Sequence, residues 1–190
     1  MYMPNMSGHM AVAKRVSEIL NINDPDYYRG NLLPDLYADK VKSHYKIPGR
    51  IYLIPDIVKV VDSIDLSNKK NLGILSHLLL DKHYFEEYMP SKYDRDIFNN
   101  GDKSIYKDYD ILNKDIVEYF NIDVDYLTNI LSEFDEDIEL KKLDLNLKCL
   151  KINEDGKTTY LDKDDFIKFL SDISIVIAEE IKDYVRKSKR

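Results

Sequence analysis

The chain has 190 residues, 44% hydrophobic and 11% aromatic, so wholesale disorder is excluded. Lys plus Arg number 28 against 35 Asp plus Glu, and a formal net charge of -7 argues against general binding to nucleic acid or anionic lipid. The single cysteine, Cys149, rules out an internal disulfide framework, and the longest apolar runs, such as ISIVIA at 173–178, fall far short of a membrane span.

The N-terminal stretch MYMPNMSGHMAVAKR lacks the basic-then-apolar layout of a signal peptide, so the expected location is cytoplasmic. No repeat or low-complexity tract is visible. A first helix is expected over 7–20, capped by Ser7, with Val12, Val16, Ile19 and Leu20 as its apolar stripe. A short helix at about 25–30 and a loop follow, with Pro34-Asp35 stopping any helix there. Residues 36–52 read as loop and carry His44. A helix at 55–63 precedes the stretch NLGILSHLLLDKHYFEEY at 71–88, which is apolar nearly all round and therefore central. The segment 92–109 reads as a surface loop broken at Asn99-Asn100-Gly101. Further helices are expected at 108–120, 123–139 and 163–187. Between the last two, Asp155-Gly156 within an alternating run signals a small β-hairpin at about 147–161. The expected whole is a single, mainly α domain over 1–190. A multi-helix bundle at 1–126 is followed by C-terminal helices and the hairpin at 127–190.

Chemistry-bearing residues are few. His77 and Asp81 are one helical turn apart and can face one metal ion, or they can satisfy each other on a buried helix. An ionised Asp81 among leucines costs several kcal/mol unless a cation offsets it. His9 reads either as a structural residue or as a ligand. Asp35 reads as a turn residue or as a functional one, and His44 carries no local signal of its own. His83 points away from the His77–Asp81 face. Arg29 and Arg50 flank these segments, either as surface arginines or as phosphate holders. Tyr27, Tyr28, Tyr37, Tyr45 and Tyr84 lie near them in sequence, which fits a pocket lining or plain compositional bias. The acidic run at 134–139 reads as a solvated face, and Cys149 as a structural thiol.

Taken together, the order His9, GNLLPD at 30–35, SH at 43–44 and HLLLD at 77–81 resembles the zinc-dependent phospholipase C family. The resemblance includes its short bacterial cytoplasmic members, and that family shares its helical fold with single-strand-specific zinc nucleases. The resemblance spans roughly 3–120. It implies a phospholipase C-like bundle and a metal site made of His9, Asp35, His44, His77 and Asp81. In that pattern Asp35, His44 and His77 hold one ion, Asp81 bridges to a second, and His9 binds the second. The N and O donors imply zinc, one or two ions, with Mn²⁺ or Fe as substitutes. Asp35 and Asp81 are the expected catalytic carboxylates. The implied activity is hydrolysis of phosphoester or phosphodiester bonds in a small or phospholipid-like substrate, by attack of a water that the metal ionises. Two departures stand out. Eight residues precede His9, where secreted members use a processed N-terminal amine as ligand. No histidine follows His83, so a third metal site is incomplete, with His83 and Glu86 or Glu87 as a possible remnant. A non-catalytic metal- or ligand-binding domain on the same fold is the alternative.

Overall fold

A computed structural model describes residues 5–50, 52–92, 104–131 and 140–189. Among them the architecture is helical, and the sole β pairing is an isolated antiparallel bridge between Lys46 and Pro55. Helix α1 (Met6–Leu20) begins two residues earlier than the Ser7 cap implies. Asn5 is the cap, accepting from the Gly8 N–H, and Ser7 instead donates its hydroxyl to the Asn5 side chain. Asn21 ends α1 in the left-handed region, with φ 52°, returning its N–H to Glu18.

Helix α2 (Pro25–Leu36) corrects the expected loop at Asp35. Asp24 caps it and Pro25 fills its first position, where a missing N–H costs nothing. The helix runs through Pro34, which lies in its last turn and so forfeits a single backbone bond. Asp35 is therefore a helical residue. Helix α3 (Lys40–Ser43) is one turn long and ends at His44. The following loop is held by Ile47 N–H to the Ile54 carbonyl and Asp56 N–H to the Tyr45 carbonyl, both across the bridge.

Helix α4 (Ile57–Ser63) leads to α5 (Lys69–His83), capped by Asn68. Helix α5 continues as a π-helical turn over Tyr84–Tyr88 and a last turn, α6 (Met89–Lys92). Helix α7 (Ser104–Tyr119) starts within the segment expected to be loop. The expected break at Asn99-Asn100-Gly101 lies outside the described residues, as does the acidic run at 134–139. Helices α8 (Val124–Leu131), α9 (Leu140–Cys149) and α10 (Lys163–Ser188) complete the chain. No described helix is long and apolar enough to cross a membrane.

The expected hairpin at 147–161 is absent. Residues 147–149 close α9, and the rest of the stretch is irregular. The buried Asp108 of α7 explains this. Its two carboxylate oxygens accept from the N–H groups of Thr159, Tyr160 and Leu161, at 2.7, 2.6 and 2.8 Å. Asn113 donates to the Ile152 carbonyl from the same helix. The donors a hairpin would pair across strands are thus spent on a carboxylate, and such charge-assisted bonds are the stronger option.

Buried apolar side chains form one cluster that extends from Met6 of α1 to Ile181 of α10. Its tightest joint is between α2 and α5, which share the most extensive helix–helix contact. A methyl group built on Gly30 would sit 1.9 Å from the Lys70 carbonyl oxygen, and one on Gly73 would sit 2.0 Å from the Tyr27 carbonyl oxygen. Only a residue without a side chain lets these backbones approach so closely, although glycine costs a helix about 1 kcal/mol relative to alanine. Gly73→Ala should therefore destabilise the protein by about 2 kcal/mol or more, against its favourable propensity, as overpacked sites do. Urea unfolding checks this. A stabilised variant would show that the joint is loose.

Candidate metal centre

The α2–α5 joint sets two rows of side chains against each other. On α2 the row is Tyr27, Asn31 and Asp35, and on α5 it is Gly73, His77 and Asp81, each at four-residue spacing. The Asn31 amide donates to the Gly73 carbonyl at 3.4 Å, and one turn further Asp35 meets His77. Helix α1 brings His9 to the other side of His77, with the two rings stacked at 3.8 Å and 7°. The turn after α3 delivers His44.

All five residues that the resemblance implies are together and buried. His9, Asp35, His44, His77 and Asp81 form two overlapping groups, one of His9, His77 and Asp81 and the other of Asp35, His44 and His77. His44 Nε2 lies 3.5 Å from Asp35 Oδ1, 3.6 Å from Asp81 Oδ2 and 3.3 Å from His77 Nε2, and His77 Nε2 lies 3.4 Å from Asp81 Oδ2. Four donor atoms bound at ~2.0–2.1 Å around a tetrahedral ion stand ~3.3–3.4 Å apart. These four separations, among the six such a set would have, are close to the spacing of donors that share an ion. On the far side of Asp81, Oδ1 lies 3.5 Å from His9 Nε2.

The polar groups here are unsatisfied by protein. Both carboxylate oxygens of Asp81, both ring nitrogens of His9 and Nδ1 of His77 are buried with no hydrogen-bond partner. Buried polar atoms normally have partners, and an orphaned carboxylate is among the most costly exceptions. A cation beside Asp81 would engage its two carboxylate oxygens and His9 Nε2, so these donors fit a metal ion.

The tautomer of His44 is prepared for this. Its Nδ1 lies 3.1 Å from the Lys40 carbonyl and 3.0 Å from the Ser43 hydroxyl, and that hydroxyl is itself tied to the Pro34 carbonyl. A carbonyl only accepts, so Nδ1 carries the proton and Nε2 presents its lone pair to the centre.

Burial lowers the pKa of His9 and of His77 to about 3, so both imidazoles are neutral and able to ligate. Burial raises Asp81 to about 6. It opposes the ionisation of Asp35 too, but His44, His77 and Lys40 outweigh it and hold that carboxyl well below the usual range. Lys40 donates from Nζ to Asp35 Oδ1 at 2.6 Å and to the Asp35 carbonyl at 2.7 Å.

Residues offered as additional candidates stand elsewhere. His83 bonds Glu87 at 2.7 Å through Nδ1 and Glu180 of α10 at 3.1 Å through Nε2, so both of its nitrogens are engaged outside the centre. Glu86 is exposed, and Glu87, not Glu86, is the partner of His83. Arg29 is tied to the Ile130 carbonyl and to Asp26. A cleft of about 460 Å³, bordered by Lys14, Tyr119, Asp172 and Ile175, includes none of the five centre residues. The cation that does reach the centre, Lys40, is one the sequence reading passed over. Its only signal is the spacing KVKSH, which puts it one turn before His44.

No protein-family model, curated protein or solved structure matches this chain.

The charges predict a definite pH response in metal-stripped protein. Unfolded His9 and His77 take up protons below pH 6.5 and the folded ones do not, so stability falls as pH drops from 6.5 towards 3. Asp81 acts with opposite sign. Its folded pKa of about 6 exceeds the ordinary 3.8, so its ionisation withdraws stability as pH rises from about 4 to 6. Asp81→Asn should therefore stabilise the chelator-treated protein by roughly 2–3 kcal/mol at pH 8 and little at pH 4. Zinc should raise the melting temperature of the native chain and not of this variant. Denaturation with and without chelator reads both effects.

Proposed function

We propose that this chain is a metal-dependent phosphoric ester hydrolase, phospholipase C-like in its chemistry, with zinc as its ion and Mn²⁺ or Fe as substitutes. The observation that carries the reading is the pair of buried donor groups, His9–His77–Asp81 and Asp35–His44–His77, beside orphaned polar atoms. The ordered motifs that resemble the phospholipase C family support the same assignment. The all-nitrogen-and-oxygen donor set suits zinc and excludes the closed, cysteine-rich structural type.

A divalent ion held here supplies Lewis acidity towards a phosphoryl oxygen and a water that ionises near neutral pH. The chain's own residues do the rest. Burial holds His77 neutral, and the Lys40 carbonyl aims His44 through its Nδ1. Asp81 faces both sides, with Oδ2 to the imidazoles of the first site and Oδ1 to His9, so it can bridge to a second ion. Asp35 is ionised at neutral pH and is the least buried of the five, at 8% exposure against 0–1% for the others. It therefore sits where a water enters, and orients that water by accepting its hydrogen bond. The substrate class is a small or phospholipid-like phosphoester; the net charge of -7 disfavours polynucleotides.

The same burial favours a second reading, a domain that binds metal without turnover. Untagged protein should retain roughly one equivalent of zinc per chain and hydrolyse bis(p-nitrophenyl) phosphate or a short-chain phospholipid. His77→Ala and Asp81→Ala should each lose both metal and activity. Full zinc with no turnover on either substrate supports the binding role. Less than half an equivalent after gentle purification overturns both.

A further inference from the structure

We propose that Lys40 gates metal loading: its ammonium is a resident cation on Asp35, and an ion that takes the Asp35–His44–His77 group displaces it. This rests on the metal-binding half of the reading above and not on turnover. Lys40 donates from Nζ to Asp35 Oδ1 at 2.6 Å and to the Asp35 carbonyl at 2.7 Å. That same Oδ1 lies 3.5 Å from His44 Nε2, so it is the oxygen that an ion shared with His44 would take. Ammonium and metal ion therefore compete for one atom. Two cations on one oxygen repel each other, most strongly where burial keeps water away, and Asp35 is buried. Asp81 differs, because the groups that face its oxygens are the imidazoles of His9, His44 and His77. Lys40 thus acts on one donor group of the centre through the carboxylate that the other group does not use.

The surroundings let the side chain leave without disturbing the ligands. The Lys40 side chain is 23% exposed, against 10% for Asp35, so its long, flexible stem can carry the ammonium into water. Its carbonyl lies 3.1 Å from His44 Nδ1, and that contact belongs to the backbone of α3. His44 therefore stays aimed when the side chain swings out. Asp35 is held in place by α2. No proton moves in the exchange: the ammonium passes from the carboxylate to water, and the ion passes from water to the carboxylate. Before an ion arrives, Asp35 has a cationic partner and Asp81 has no hydrogen-bond partner, so Lys40 offsets the burial of one carboxylate only. The consequence is weaker zinc binding than the same donors would give without it.

Zinc affinity of the full-length protein, measured by competition with a chromophoric chelator, tests the proposal. Lys40→Met should bind zinc about tenfold or more tightly than the native chain, the scale of one charge-assisted contact. Stripped of metal, the same variant should unfold at lower urea, because Asp35 has lost its partner. Lys40→Gln repeats the charge removal if the methionine variant folds poorly, and Lys40→Arg, which keeps the cation, should stay near the native affinity. A second readout follows the amine itself. Acetylation by an N-hydroxysuccinimide ester, read lysine by lysine by mass spectrometry, should be faster at Lys40 in zinc-saturated than in chelator-treated native protein, with the other lysines as reference. Equal or weaker zinc binding by both charge-removing variants overturns the gate and leaves the metal centre standing, since Lys40 would then support Asp35 as a ligand. Unchanged acetylation of Lys40 in zinc-saturated protein also overturns it, because the ammonium has not left. Zinc binding by the charge-removing variants and not by the native chain supports it in its strongest form. Failure of the native chain and the variants alike to take up zinc removes the metal centre, and this inference falls with it.

Discussion

Two backbones touch where α2 crosses α5, and the rest of the centre follows from that contact. Gly30 and Gly73 let the helices approach to a distance that no side chain permits. Each helix repeats its contact face every four residues, so the face that carries Gly73 also carries His77 and Asp81. The face that carries Tyr27 and Asn31 also carries Asp35. A closely packed joint one turn away fixes both donors to within the tolerance a metal requires, without any loop having to be ordered for the purpose. Helices α1 and α3 then add His9 and His44 to a geometry already set.

The electrostatics of this arrangement work against the fold and for the site. Burial keeps His9 and His77 neutral and pushes Asp81 up to about 6. A chain selected for stability alone would place Asn or Leu at position 81, where the carboxylate has no hydrogen-bond partner. Asp35 differs because Lys40 and His44 compensate it. The two carboxylates of the centre thus have separate environments. One is held ionised by a neighbouring cation at the open edge. The other is left for a cation to neutralise in the interior.

Much of this is legible in the sequence, because spacing on one helix is a local property. The His77–Asp81 pair, the apolar run around it and the helical character of the chain all follow from periodicity. Three features do not, and each depends on contacts between distant segments. Pro34 is a sound stop signal in isolation, but packing against α5 carries α2 two residues past it, and so Asp35 is helical. Asp155-Gly156 is a sound hairpin signal, yet Asp108 takes the N–H groups at Thr159, Tyr160 and Leu161, some fifty residues away in sequence. Lys40 has no motif at all, and its meaning exists only beside Asp35. That His9 and His44 meet His77 was legible only through the family resemblance, since neither residue has a local pattern that demands it.

The two sides of Asp81 are unequal, and this inequality bears on how such a centre would work. One side groups Asp35, His44 and His77, from α2, the turn after α3, and α5, and the other groups His9, His77 and Asp81, with His9 Nε2 3.5 Å from Asp81 Oδ1. His77 belongs to both groups through its position between the stacked ring of His9 and the edge of His44. Its Nε2 faces His44, however, so the side of Asp35 and His44 has the prior claim on it. Each group offers three donors, so an ion bound by either one would complete its shell with water or substrate.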